Sequence, residues 1–293
     1  MKLGLGTVQF GLDYGISNPD GRTVEGEVAE ILDMAARRGL RVLDTAPLYG
    51  TSEEVLGRTL PAGHRFRIVT KTAKFGTGPI TSRDARELEE TFRRSLDLMR
   101  QESLYGLLVH DADNLLAPDG RLLMDRMVSL REQGLVKKIG VSVYTSRQIE
   151  RVLDAFGIDI VQLPINVLDQ RLLQGGHLAR LKAAGVEIHA RSAFLQGLLL
   201  MDPAALPRYF DPVRKHLQHY RDFLRERGVS PLQAAVGFVS ALAETDAVIC
   251  GVNNRQQLEE LCEASACSVE IDLTQFAFDD ETILNPSKWR INT

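Results

Sequence analysis

Val42-Leu43-Asp44-Thr45-Ala46-Pro47-Leu48-Tyr49 runs an apolar strand signal straight into an acidic residue and, five positions later, a phenol. A carboxylate and a tyrosine just past a strand's end are a catalytic arrangement before they are a structural one. A phenol in water has a pKa of about 10, so at neutral pH it donates a proton poorly unless a nearby cation favours the phenolate left behind. Two further strand signals supply partners. Phe66-Arg67-Ile68-Val69-Thr70 is followed by Lys71, and Leu104-Tyr105-Gly106-Leu107-Leu108-Val109 by His110. Asp44, Lys71 and His110 therefore close three successive strands, with Tyr49 in the loop after the first. In a parallel α/β barrel such strand ends converge on one face.

The rest of the chain continues the alternation. Lys2 to Phe10, opening Leu-Gly-Leu-Gly-Thr-Val, reads as a first strand, because no third glycine follows at the spacing of a dinucleotide fingerprint. Val28, Ile31, Leu32 and Ala35 share one helical face before Gly39, Ser52 and Glu53 can open a second helix, and Leu88, Phe92, Leu96 and Met99 mark a third. Further helices are predicted over Leu122 to Glu132, around Ile149, Val152 and Leu153, around Leu178, Leu181 and Lys182, and over Val213 to Arg227. Ser230 and Pro231 provide an N-cap and a first-turn proline for a helix through Ala243, and Gln256 to Ala264 is the last helix. Strands are predicted over Lys138 to Ser142, Asp159 to Leu163, Val186 to Arg191 and Val248 to Gly251. Leu195 to Pro212 reads as an extended loop able to cover a site, and the residues after Ala264 as a tail. Eight strands alternating with helices predict an α/β (β/α)8 TIM barrel, one domain over residues 1–293. The competing fold is a doubly wound open sheet, which gathers strands two, three and four at one mouth less readily.

Thirty-five Lys and Arg against 39 Asp and Glu give a net charge of −4, which argues against a nucleic-acid partner. Cys250, Cys262 and Cys267 form no CxxC pair, so neither a disulfide framework nor a zinc site is indicated. With no secretory signal or long apolar run in view, a soluble, unprocessed cytoplasmic protein without a membrane partner is expected. His216 and His219 have metal-compatible spacing, but no third ligand completes a set, so a solvated helix face is expected and no metal. No nucleophile elbow, phosphate-cradling GxxxxGK[ST] or paired glycosidase carboxylates appear at strand ends.

Asp44, Tyr49, Lys71 and His110, in that order within LDTAPLYG, IVTK and LLVH, resemble the signature of the aldo-keto reductase family. The resemblance implies reduction of an aldehyde or ketone, possible also on a sugar-derived carbonyl, with NADPH or NADH as cofactor. Tyr49 would be the proton donor, Lys71 would lower its pKa, Asp44 would hold Lys71, and His110 would orient the carbonyl. Gly6 and Thr7 would contact the cofactor, while Ser142 and Gln162 would hold the nicotinamide carboxamide. Val143 stands where the family has an Asn, and Asn166 is too far along the chain to replace it. Arg191 takes the place of a stacking aromatic, with an ion pair to a carboxylate as its structural alternative. Ser192, Leu195, Gln196 and Gly197 match the pyrophosphate loop, and Gly251, Asn253, Arg255, Gln257 and Glu260 the adenosine end. Arg255, the local cation, implies NADPH over NADH by a modest margin. The segments Ala112 to Arg121 and Asn285 to Thr293 are expected to border the pocket, with Trp289 available to line it. Two other roles stay open: a nicotinamide-binding regulatory or interaction subunit, and a sugar-modifying enzyme that recycles a tightly held cofactor. Taken singly, Asp44 and Lys71 could be a structural ion pair, Tyr49 an aromatic wall and His110 a satisfied strand-end histidine.

Overall fold

The computed structural model describes residues 2–267 and 271–291. Strands β1 (Leu3–Gly6), β2 (Val42–Asp44), β3 (Arg67–Lys71), β4 (Leu104–Val109), β5 (Val136–Ser142), β6 (Ile160–Pro164), β7 (Glu187–Arg191) and β8 (Ala247–Gly251) pair in parallel with their chain neighbours. Pairing of β1 with β8 closes the ring. The helices are α1 (Glu25–Arg37), α2 (Ser52–Thr59), α3 (Ser82–Met99), α4 (Ala112–Leu116), α5 (Arg121–Glu132), α6 (Ser146–Ala155), α7 (Arg171–Gln174), α8 (His177–Ala183), α9 (Asp211–Glu226), α10 (Pro231–Ala241), α11 (Arg255–Ala266) and α12 (Glu281–Leu284). This is the (β/α)8 barrel the alternation implied. Ser230 caps α10 in a reciprocal box with Gln233, and Pro231 opens the helix where its missing N–H costs nothing.

Side chains alternate across a strand, so residues two apart share a face. Val42, Val69, Leu108, Ile160, Ala247 and Ile249 form a small apolar cluster separate from the main core, and this cluster fills the barrel. The same faces, continued two residues toward the C-terminal ends, carry Asp44, Lys71, His110, Gln162 and Gly251. Strand periodicity alone therefore delivers the polar residues to one mouth. The main core lies between the sheet and the helices around it.

At the opposite end of the same lumen β7 starts with Glu187. Its carboxylate accepts hydrogen bonds from Tyr105 Oη at 2.7 Å and His189 Nε2 at 2.8 Å, and pairs with Lys138. Burial works to raise the Glu187 pKa, but these three donors outweigh it and pull it down to about 2.

Three segments differ from the sequence reading. Ala112–Leu116 is a short helix capped by Asp111, a local side-chain cap inside what reads as a polar loop. Leu195 to Pro212 is three 3-10 turns rather than open coil, pinned by buried Leu195, Leu198, Leu199 and Phe210. The residues after Ala264 are not a free tail. Phe276, Ile283 and Leu284 join a third apolar cluster with Leu217, Tyr220 and Leu224 of α9. Residues 268–270 and 292–293 of that stretch, including the end of the segment expected to border the pocket, lie outside the described residues.

Candidate active site

Asp44 and Lys71 meet at the mouth as a buried ion pair. Lys71 Nζ donates to Asp44 Oδ1 at 2.7 Å and to the Thr45 carbonyl at 2.9 Å, and Gln162 Nε2 donates to the same Asp44 oxygen at 2.7 Å. The Lys71 ammonium also lies 4.9 Å from the centroid of the Tyr49 ring. His110 stands edge-on to that ring, centroids 6.2 Å apart. All four catalytic candidates line one cavity of about 720 Å³.

The electrostatics depart from the expectation in one respect. Burial lowers the Lys71 pKa, with Asp44 opposing. Tyr49 is raised well above an ordinary phenol by burial and then by Asp44, and the cation that pulls it down is Arg191 rather than Lys71. The ammonium's charge is answered by Asp44, so little of it is left to acidify the phenol. His110 is pushed down to about 3 by burial and by the positive charges of Lys71, Lys74 and Arg191. Its imidazole is therefore neutral, and its buried Nδ1 has no partner in the protein.

Ser142 and Gln162 line the cavity beside this group. Arg191 also lines it, its guanidinium 4.1 Å from the centroid of the Tyr144 ring and Nη2 donating to the Val143 carbonyl at 3.1 Å. Among the described residues no carboxylate pairs with it, so the ion-pair alternative is replaced by an aromatic stack. Asn166 is buried and donates to the Ser192 carbonyl, a structural use that fixes the loop after β7.

That loop is locally strained. Ser192, Leu195 and Gln196 have φ of 62°, 48° and 54°, a region costing about 1–2 kcal/mol per L residue. Gly197 follows at φ 96°, where a Cβ would sit 1.9 Å from Ser17 Oγ, so only glycine fits. The strain holds Ser192, Gln196 and Gly197 on the cavity wall. Leu195, expected as a contact, instead points into the apolar cluster and is fully buried.

On the other wall Gly6, Thr7, Gly251, Asn253, Gln257 and Glu260 line the cavity. Arg255 does not. Its guanidinium lies 3.9 Å from Glu30 of α1, and its backbone N–H donates to Glu27. The segment after α12 borders the cavity through Asn285, Ser287 and Lys288, and the segment after β4 through Asp111 and Asp113. Trp289 packs on Phe210 instead, its indole N–H donating to the Ile283 carbonyl. His216 and His219 do not form a plain solvated face. Both rings pack on Phe276, and His216 Nε2 donates to the Phe276 carbonyl at 3.0 Å. Among the described residues no group of side chains is arranged to hold a metal ion.

Sequence reasoning missed Gln9, Tyr14, Lys74, Tyr144, Gln148 and Phe194, all of which line the cavity. Tyr144 directly follows the strand-five Ser-Val pair, the one positional signal available. Tyr14 keeps its ring edge exposed while its hydroxyl is buried beside Tyr49, Tyr144 and Gln196, and burial first raises its pKa, to about 12.

The sequence model of the Aldo/keto reductase family matches residues 2–280. The chain belongs to the aldo/keto reductase family. A chloroplastic pyridoxal reductase of Arabidopsis thaliana is 28% identical over 146 residues, 45% of this chain and 39% of the relative. An aldo-keto reductase of Strobilurus tenacellus is 28% identical over 192 residues, 64% of this chain and 54% of the relative. The chain spans between 36% and 54% of the length of the curated relatives it matches. A solved aldo-keto reductase of Bacillus halodurans in its holo form superposes with a TM-score of 0.74 at 18% identity, covering 99% of this chain and 94% of that one. No helix among the described residues is long and apolar enough to cross a membrane.

Proposed function

We propose that the chain is a single-domain, cytoplasmic NAD(P)H-dependent reductase of a small aldehyde or ketone. The observation that carries this reading is the convergence of a buried Asp44–Lys71 pair, Tyr49 and a neutral His110 on one cavity at the barrel mouth. The three unpaired thiols suit a reducing compartment.

The walls fit a nicotinamide dinucleotide. Ser142 and Gln162 can hold a carboxamide, the Arg191–Tyr144 stack offers a flat cationic surface to a ring, and the buried acceptors Gln9 Oε1 and Asn253 Oδ1 have no partner in the protein. When bound, the reduced nicotinamide supplies hydride to the carbonyl carbon. Tyr49 gives its hydroxyl proton to the carbonyl oxygen as negative charge develops there. His110, uncharged, donates one hydrogen bond to the same oxygen and fixes its direction, while the Arg191 guanidinium, the cation that lowers the phenol's pKa, favours the phenolate that remains and the Lys71 ammonium against the ring face holds Tyr49 in position. Asp44 keeps the ammonium in place, and its second donor, Gln162, stops it from turning. The preference for NADPH that rested on Arg255 loses its carrier, because that side chain is turned to Glu30.

The test is loss of NADH or NADPH absorbance over a panel of aldehydes, ketones and keto-sugars, with Tyr49→Phe as control. General acid catalysis is worth about 10²–10⁴ in rate, so the variant should lose that much while still binding cofactor. No turnover in wild type, or near-wild-type turnover in the variant, would overturn the reading.

A further inference from the structure

The cavity has two chemically different ends. The reacting carbon must lie against Tyr49 and His110, where Lys71, Lys74 and Arg191 supply positive charge. A dinucleotide that starts there would run between Gln196 and Gly197 of the loop after β7 and Gly251 at the end of β8, with its second ribose toward Asn253, Gln257 and Glu260, which line the same cavity on the chain after β8. That far end is built from amides and a carboxylate. Glu260 accepts from Gln256, and the Gln257 side-chain oxygen accepts from the Asn253 backbone N–H at 2.8 Å. Asn253 Oδ1 is buried without a partner.

Gln9 shares this wall. It is 9% exposed, its Oε1 is unpartnered, and its amide lies so close to Gly251 that a Cβ there would come within 2.4 Å of it. Thr23 ties the two amide residues together, its N–H donating to the Gln9 carbonyl and its hydroxyl to the Asn253 carbonyl. The cations that could have served this end are committed elsewhere. Arg255 faces Glu30 outside the cavity, and Lys288 is paired with Glu281.

Resting on the dinucleotide reading above, we propose that this end reads the free 2′-hydroxyl of the adenosine ribose, so that the chain prefers NADH, with Asn253 and Gln9 as specificity-determining residues. A hydroxyl donates to an unpartnered amide oxygen, which a phosphate without protons cannot do. A 2′-phosphate brings a charge of about −1.5 to −2 near neutral pH to a stretch where Glu260 carries its own negative charge and the lining Lys288 is already paired with Glu281. Leaving a buried acceptor unpaired is also costly, so NADPH both gains a repulsion and loses a bond.

The experiment is a titration of the full chain with NADH and with NADPH, read by the fluorescence enhancement of the reduced nicotinamide on binding. The Kd for NADPH should exceed that for NADH by about tenfold. Asn253→Arg puts a guanidinium on the lining position and should tighten NADPH by about tenfold, a gain that misfolding cannot mimic. Gln9→Leu should weaken NADH and leave NADPH nearly unchanged. Equal affinities or tighter NADPH in the wild type would overturn the inference while leaving the reductase reading intact. An Asn253→Arg chain with unaltered NADPH affinity would remove Asn253 from it. Binding of neither dinucleotide would end the reductase reading itself and this inference with it.

Discussion

Removing Lys71 separates what the buried ion pair does for the fold from what it does for chemistry. Lys71→Met keeps a long apolar stem where the side chain is 1% exposed, and leaves the Asp44 carboxylate with Gln162 Nε2 as its remaining side-chain donor. Breaking one partner of a buried pair costs about 3–5 kcal/mol, because the surviving charge is uncompensated. With an unfolding entropy of about 2.1 cal/mol/K per residue over 293 residues, that is a fall in melting temperature of about 5–8 °C. Asp44→Asn should cost a similar amount, by leaving the ammonium with only the Thr45 carbonyl. The double variant removes both charges, and its loss should be smaller than the sum of the two singles by at least about 2 kcal/mol. Turnover should behave differently, since the double variant recovers stability and not the cation beside Tyr49. Thermal melts and single-turnover carbonyl reduction on the four proteins decide the matter. Strict additivity in stability would refute the pairing energetics, and wild-type turnover in Lys71→Met would refute the catalytic role.

Tyr49 is raised and His110 is held at about 3, so carbonyl reduction should be flat from about pH 5 to about pH 9 and fall only as the phenol ionises. Alcohol oxidation needs the phenolate and should climb with pH over the same range; a reduction profile with an acidic limb near neutrality that disappears in a His110 variant would contradict this. At the base of the barrel, Glu187 drops from an ordinary 4.5 to about 2, so its stabilisation is fully present above about 4.5 and is lost as pH falls toward 2. Glu187→Gln should therefore lower the melting temperature at neutral pH, and the gap to wild type should narrow across that acidic window; a gap that does not change with pH would exclude Glu187 as the titrating group.

What could be read from the chain was set by periodicity and by punctuation. Apolar runs that end in Asp44, Lys71, His110 and Gln162 are legible because a strand's two-residue repeat sends the residue after the last filler to the mouth. Tyr14 and Tyr144 sit outside the strands, where no repeat announces the direction of a side chain, and Gln9, read as part of the first strand, lies in a 3-10 turn because β1 ends at Gly6. Arg255 illustrates a second limit. Its sequence neighbourhood showed a lone cation, and only the fold brought Glu27 and Glu30, more than 220 positions earlier, against it. His216 and His219 read as solvated because Phe276, their packing partner, lies in a stretch whose sequence looks like a tail.

Six apolar side chains fill the lumen between the Asp44–Lys71 pair above and the Glu187 cluster below. That layer offers no group to relay a proton, and at each end the charges are paired locally, so little net field is left to cross it and the barrel axis carries a separate circuit at each end. Substitutions at the two ends should then combine additively. The catalytic mouth can drift toward new chemistry through its loops while the charges at the base continue to hold the staves of the barrel together.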